Sequence, residues 1–248
     1  MHGWTWKMRT SPFSALEARD QPARFLVEQI DDADFGIPPE GGFRYDGVDG
    51  EVVEVTAATL PSTDFASIPP FMSWFVSRYG RHTPAALVHD VLVVEGMPFA
   101  DRVAADRTFL RMLDALDVPP VRSRLMWSAV SLATRWRGPL RARVGVVCWG
   151  LSAAAGLVLL GYGIREGRPG PVVVALVGPA LGAVFWGRQY VAGLIGGYAV
   201  PFVVVPAATS WLGYRTYWIA EQAVRLIHGA LPHVEPGELP PPVRYDER

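Results

Sequence analysis

The chain has 248 residues and a formal net charge of −1, with 50% hydrophobic and 19% charged residues. This length corresponds to one or two domains, and the near-neutral charge argues against a nucleic-acid partner. The single cysteine, Cys148, excludes an intrachain disulfide and a cysteine-based zinc site. Because apolar residues concentrate after about residue 143, we expect a soluble part followed by a membrane part.

Short strands are expected in the first third of the chain. Phe25–Ile30 has the composition of a strand, and the acidic, Pro- and Gly-rich stretch 31–42 has that of a loop. Phe43–Tyr45 and Glu51–Thr56 flank the turn sequence Asp46–Gly50. Valine alternates with glutamate in the second of these stretches, and this pattern predicts a β-hairpin.

Helices are expected in the middle of the chain. The aromatic-rich stretch Phe71–Tyr79 predicts a short helix. Three longer helices, separated by prolines, are predicted after it: Pro84–Val94, Phe99–Leu116 and Pro119–Trp136. Together these elements predict a soluble α+β domain over residues 1–138, with a small N-terminal antiparallel sheet and a three-helix segment.

Two of these helices carry polar residues on surfaces that face the core. In Pro84–Val94 the only polar side chains are His89 and Asp90, and neighbours on a helix point about 100° apart, so no single solvated stripe accommodates both. In the next helix Asp106 lies within an apolar stripe, and Arg102 lies four residues before it, within reach of an ion pair. Since buried polar groups need partners, we expect His89 and Asp90 to meet Asp106 and the turn around Asp64.

The second half of the chain has the lengths and charges of membrane helices. Val144–Tyr162 is free of charge and long enough to cross a bilayer core of roughly 30 Å. With the apolar runs Pro171–Trp186 and Tyr190–Tyr214, two or three spans are expected over residues 139–214. Residues 215–248 are expected to form an amphipathic helix and a Pro-rich tail.

The arginines around the first span predict its orientation. Four of them precede it and two lie in the loop after it: Arg135, Arg137, Arg141 and Arg143, then Arg165 and Arg168. By the positive-inside rule the N-terminal domain is cytoplasmic. We therefore expect a multi-pass protein of the cell (inner) membrane, with membrane lipid as a partner.

Three motifs in order resemble a family of phage and bacterial proteins of unknown function. They are Thr63-Asp64-Phe65-Ala66-Ser67-Ile68-Pro69, then His89-Asp90, then Arg102-x-x-Ala105-Asp106-x-x-Phe109. The family's signature is Thr-Asp-x-Ala-Ser-Ile/Val-Pro, His-Asp and Arg-x-x-Ala-Asp-x-x-Phe. The resemblance covers about residues 25–135. It implies a compact α+β domain but no established activity.

The polar residues of these motifs define the candidate site. An imidazole and two or three carboxylates can hold a divalent metal that activates water, or can act as general acid and base without one. We assign the candidate catalytic residues as His89, Asp90, Asp106 and Asp64, the candidate ligand-binding residues as Ser67 and Arg102, and the candidate metal ligands as His89, Asp90 and Asp106.

Three functions are weighed for this site. The first is a membrane-anchored, metal-dependent or metal-free hydrolase. The second is a docking or phage-like assembly protein that recruits a protein partner to the membrane, for which Phe71, Trp74 and Phe75 offer an apolar patch. The third is a small-ligand sensor. The alternative to all three is a closed hydrogen-bond network that only fixes helix packing. His82, in the loop before the first long helix, is expected to be exposed.

Overall fold

The computed structural model describes residues 11–16, 23, 26–30, 35–48, 50–63 and 80–229. Within them the chain is α+β, as predicted, with short strands at the N-terminal end and helices after them. The predicted helix Phe71–Tyr79 and the Pro-rich tail lie outside the described residues, as do Asp64, Ser67, Trp74 and Phe75.

The strands form two antiparallel sheets. They are β1 (Phe13–Ala15), β2 (Glu28–Gln29), β3 (Phe35–Gly36), β4 (Phe43–Asp46) and β5 (Val52–Val55). The larger sheet has the order β1-β4-β5 and contains the predicted hairpin, while β2 pairs with β3. The sequence predicted a loop over 31–42. Instead, Phe35 pairs with both Gln29 and Thr63, and this long-range pairing could not be read from local composition.

The register of the hairpin places its apolar side chains in the core. Phe43 lies opposite Val55, and Tyr45 lies opposite Val53. All four are buried, because residues two apart on a strand share one face. The core beneath this face is completed by Leu87, Val88, Met112 and Leu113 from the helices.

Three helices follow as the sequence predicted, with small differences at their ends. They are α1 (Thr83–Leu92), α2 (Phe99–Ala115) and α3 (Pro120–Trp136). Helix α1 packs between β5 and α2, and α2 packs on α3. This arrangement brings residues from all three helices together around the middle of α2.

The apolar half of the chain forms a helical hairpin and one long helix. Helix α4 (Leu140–Glu166) turns at Gly167, whose φ of 62° favours glycine, into α5 (Pro169–Ala183). A short 3-10 segment, Val184–Gln189, which we call the connector, leads to α6 (Tyr190–Gly229). The sequence predicted a separate amphipathic helix within residues 215–248. Helix α6 instead continues to Gly229, because residues 214–228 contain neither glycine nor proline.

Two helical stretches are long and apolar enough to cross a membrane. Leu140–Glu166 has a mean hydropathy of 2.0 and Pro169–Gly229 one of 1.9, each over its most apolar window. Only 28% and 22% of these windows are buried within the chain, whereas the core helix of a soluble protein is mostly buried. The length of α4, about 40 Å at 1.5 Å per residue, exceeds a bilayer core of about 30 Å.

Helix α3 and the apolar helices share an interface. The Ser128 hydroxyl on α3 donates to the Ala192 carbonyl at 2.8 Å, and the Trp149 indole on α4 donates to the Gly193 carbonyl at 2.8 Å. Trp127, Trp149 and Trp186 belong to one buried cluster there. Helix α3 therefore packs directly against the start of α6.

A glycine on α4 allows the connector to approach closely. A Cβ added at Gly145 would lie 2.8 Å from the Phe185 carbonyl oxygen and 3.1 Å from a guanidinium nitrogen of Arg135. We expect Gly145→Ala to lower the melting temperature of the full chain by several degrees, since backbone and a fixed side chain must move. Gly150→Ala is the matched control on the same helix, because nothing lies within 4 Å of its added Cβ. Equal melting temperatures for the two variants would contradict this interface.

Candidate functional site

The centre of the site is Asp106, on α2, which is fully buried. Three side chains from three other elements surround its carboxylate. Oδ1 lies 3.1 Å from His89 Nε2 on α1 and accepts a hydrogen bond from the Thr134 hydroxyl on α3 at 3.1 Å. Oδ2 accepts a hydrogen bond from Gln189 Nε2 in the connector at 3.4 Å. The prediction that Asp106 faces the core and meets His89 is confirmed.

His89 connects this buried carboxylate with the surface. Its side chain is 13% exposed, and its ring packs against Phe109 with 5.1 Å between centroids. An ionised carboxylate only accepts hydrogen bonds, so Nε2 of His89 is the donor to Asp106. In the neutral imidazole this leaves Nδ1 as the basic nitrogen. Asp106 thus selects the tautomer and orientation of the ring, which is the task of the carboxylate in an acid–base dyad.

Gln189 is itself held by Arg135. NH1 of Arg135 donates to Gln189 Oε1 at 3.2 Å and to the Trp186 carbonyl at 3.0 Å, and NH2 donates to the Phe185 carbonyl at 2.9 Å. The guanidinium also lies 5.2 Å from the ring centroid of Trp186, a cation–π contact. Since Arg135 must donate, the Gln189 amide presents its oxygen to Arg135 and its NH2 to Asp106.

Arg135 is 6% exposed. Burial lowers the pKa of its guanidinium below the usual value by removing solvation from the charged form. The group keeps its proton all the same, as arginine does in proteins. The Arg135 cation is therefore linked to the Asp106 carboxylate through one side chain, that of Gln189.

Asp90 has a different partner from its neighbour. It lies on α1 next to His89, and its Oδ2 accepts a hydrogen bond from the Thr63 hydroxyl at 2.8 Å. Thr63, the first residue of the Thr-Asp-x-Ala-Ser motif, therefore contacts the His-Asp pair. Among the described residues no group of three or more His, Cys, Asp or Glu is arranged to hold a metal. The candidate ligands His89, Asp90 and Asp106 therefore do not form such a group there.

Two expectations from the sequence are wrong. Arg102 does not pair with Asp106; its guanidinium donates to the carbonyls of Val94 at 2.9 Å and Met97 at 3.4 Å. Both carbonyls lie in the loop between α1 and α2, which Arg102 faces from the first turns of α2. His82 is not an exposed loop residue: it is the N-cap residue of α1 and only 2% exposed.

Two clefts in the described part of the chain are lined by residues other than Asp106. One, of about 640 Å³, lies between the α1–α2 loop and the α3–α4 corner and is lined by Arg102, Arg137 and Phe99, among others. A second, of about 590 Å³, is an apolar groove between α3 and α6. His89, with a side chain that is 13% exposed, is the partner of Asp106 that reaches the surface.

Three residues of the network were missed by the sequence analysis: Thr134, Arg135 and Gln189. Arg135 was counted as one of the arginines that set membrane orientation. Gln189 lies between the predicted apolar runs Pro171–Trp186 and Tyr190–Tyr214 and has no role in the sequence predictions. The signal that could have identified Gln189 is an uncharged polar side chain between two apolar runs, which needs a hydrogen-bond partner within the protein if it is buried.

Comparison with known proteins gives one family. Residues 40–130 match the model of a family described as "Protein of unknown function (DUF1353)". The resemblance to a domain family of unknown function is confirmed over this range, which contains β4, β5, α1, α2 and the first part of α3. Neither a curated protein nor a solved structure matches the chain. Within the network, Thr134, Arg135 and Gln189 lie beyond the matched range.

Proposed function

We propose that the chain is a membrane-anchored hydrolase in which His89, oriented by Asp106, acts as a general base. One observation carries this proposal: a fully buried carboxylate with three donors holds an imidazole that reaches the surface. Nδ1 of His89 would take a proton from a water molecule as that water attacks an acyl or phosphoryl centre. Asp106 would stabilise the imidazolium that forms.

Other residues would contact the substrate. Asp64 and Ser67 belong to the motif whose first residue, Thr63, bonds Asp90 on α1. Asp90 is the neighbour of His89 on α1, so Thr63 lies beside the His-Asp pair. We infer no step through a divalent metal, because Asp90 accepts a bond from Thr63 and the described residues hold no group of three ligands.

The anchor would be formed by α4, α5 and α6. Their apolar side chains are exposed along most of their length, among them Val158, Leu176, Val177 and Phe202. Such surfaces are stable in lipid and costly in water. The arginine count supports a cytoplasmic N-terminal domain at the cell (inner) membrane. Lipid is then a partner of the protein.

The test uses the full chain in lipid vesicles. We expect the protein to remain with the vesicles after alkaline extraction, and to hydrolyse one of three probes: 4-nitrophenyl acetate, 4-nitrophenyl phosphate or bis(4-nitrophenyl) phosphate. His89→Gln should lower kcat by about 10²- to 10⁴-fold, the usual contribution of a general base. His228→Gln is the matched control, on the exposed end of α6. Wild-type protein without activity, or equal rates for both variants, would overturn the hydrolase.

A small-ligand sensor is the second candidate, and the contact of Gln189 with Asp106 favours it, since it joins the site to the apolar helices. A sensor would bind a ligand at His89 without turnover. The docking function remains a prediction, because its patch of Phe71, Trp74 and Phe75 lies outside the described residues.

A further inference from the structure

The strongest feature that the proposed function leaves unused is the connector between α5 and α6. It is a short 3-10 segment with a non-helical residue, Gly187, at φ 55° and ψ −118°. Its last residue, Gln189, is 3% exposed and belongs to the apolar half of the chain. Its side chain nevertheless reaches a carboxylate 83 residues earlier in the sequence.

We propose that Gln189 is a positioning residue for the His89–Asp106 dyad, so that the connector between the apolar helices completes the site. This inference rests on the proposed function. Thr134 and His89 both bind Oδ1 of Asp106, whereas Gln189 binds Oδ2. Gln189 therefore restrains rotation of the carboxylate about its Cβ–Cγ bond. Without Gln189 the carboxylate can rotate, and Oδ1 then loses its alignment with the N–H of His89 Nε2.

Arg135 fixes Gln189 in turn. The carbonyls of Phe185 and Trp186 and the Gln189 side chain all accept bonds from one planar guanidinium. A planar fork with several donors holds its acceptors in a defined geometry. The connector, α3 and the dyad therefore move as one unit. Any rearrangement of α5 against α6 that displaces the connector would change the hydrogen bonding of Asp106.

The residues involved separate into two groups along the chain. His89 and Asp106 lie inside the matched range of residues 40–130, whereas Thr134, Arg135 and Gln189 lie outside it. The dyad thus lies within the matched range, Thr134 lies further along α3, and of the three donors to the Asp106 carboxylate only Gln189 belongs to the apolar half of the chain. This division points to regulation of the site by the arrangement of the apolar helices.

The test compares Gln189→Leu with Arg188→Leu in the full chain in lipid nanodiscs. Arg188 is the adjacent, exposed residue of the connector and is a matched control. The readout is the ring ¹⁵N chemical shifts of labelled histidine, assigned with His89→Gln, which distinguish the Nε2–H tautomer from the Nδ1–H tautomer. We expect wild type and Arg188→Leu to hold the Nε2–H tautomer and Gln189→Leu to show both. Where a probe is hydrolysed, kcat should fall about 10- to 100-fold in Gln189→Leu with little change in KM.

Each outcome decides the inference. A folded Gln189→Leu protein with the wild-type tautomer would overturn it, because a residue that only stabilises the fold leaves the ring unchanged. If Gln189→Leu does not fold, Gln189→Asn replaces it, since the shorter amide keeps its polarity but cannot span the distance to Asp106. A mixed tautomer in Gln189→Leu, together with wild-type protein that hydrolyses none of the probes, would support the positioning role and reject the hydrolase.

Discussion

Asp106→Asn is expected to lower the free energy of unfolding by about 3 kcal/mol, the scale of breaking a buried charge pair. The carboxylate accepts from His89, Thr134 and Gln189 at once. An asparagine has one acceptor oxygen, and its NH2 group would face another donor. At least one buried donor is then left without a partner, at a cost of about 1–3 kcal/mol. The substitution also removes the negative charge from the hydrogen-bond network that contains the Arg135 cation.

Thermal unfolding of the full chain in detergent measures this loss. For a protein of this size 1 kcal/mol corresponds to about 2–4 °C in Tm, so we expect a decrease of about 6–12 °C. Asp114→Asn is the matched control on the same helix. Asp114 pairs with Arg124 at 2.7 Å, but both side chains are well exposed, and such pairs contribute about 0–1 kcal/mol. Similar melting temperatures for the two variants would contradict the buried network.

The parts of the fold with local signals were predictable. The hairpin followed from alternation around a turn, and the helices α1, α2 and α3 followed from proline boundaries and apolar periodicity. The pairing of Phe35 with Gln29 and Thr63 was not predictable. Strands of two residues have no periodicity of their own, and their pairing depends on where distant segments meet.

Of the candidate site, the pair His89 and Asp106 was predictable, and the other donors to Asp106 were not. Asp106 stood out because a carboxylate in an apolar stripe requires partners, and His89 stood out for the same reason on α1. Their donors from α3 and the connector could not be assigned, because the sequence does not show which polar residue of a later helix faces α2. Arg102 was misassigned for a related reason: a spacing of four residues permits a pair with Asp106, but the sequence does not show that the carbonyls of Val94 and Met97 in the α1–α2 loop lie within its reach.

The arginine that joins the domain to the apolar helices should be the least replaceable residue of the interface. Arg135→Met removes the side-chain donors to the Phe185 and Trp186 carbonyls and to Gln189 Oε1. Buried acceptors without partners cost about 1–3 kcal/mol each, so we expect a loss of about 3 kcal/mol or more. Arg135→Lys should restore little of it, because one ammonium group cannot replace a planar fork with several donors.

Hydrogen exchange in lipid nanodiscs localises the effect of Arg135→Met. We expect faster exchange of the backbone amides of the connector, Val184–Gln189, and of the first turn of α6. The sheet at the far side of the domain should exchange at the wild-type rate. Arg137→Met is the control, because Arg137 is exposed at the end of the same helix. If Arg135→Met exchanges like Arg137→Met at the connector, the guanidinium does not hold that segment. The dyad would then be independent of the apolar helices, since the route from them to Asp106 passes through the residues that Arg135 binds.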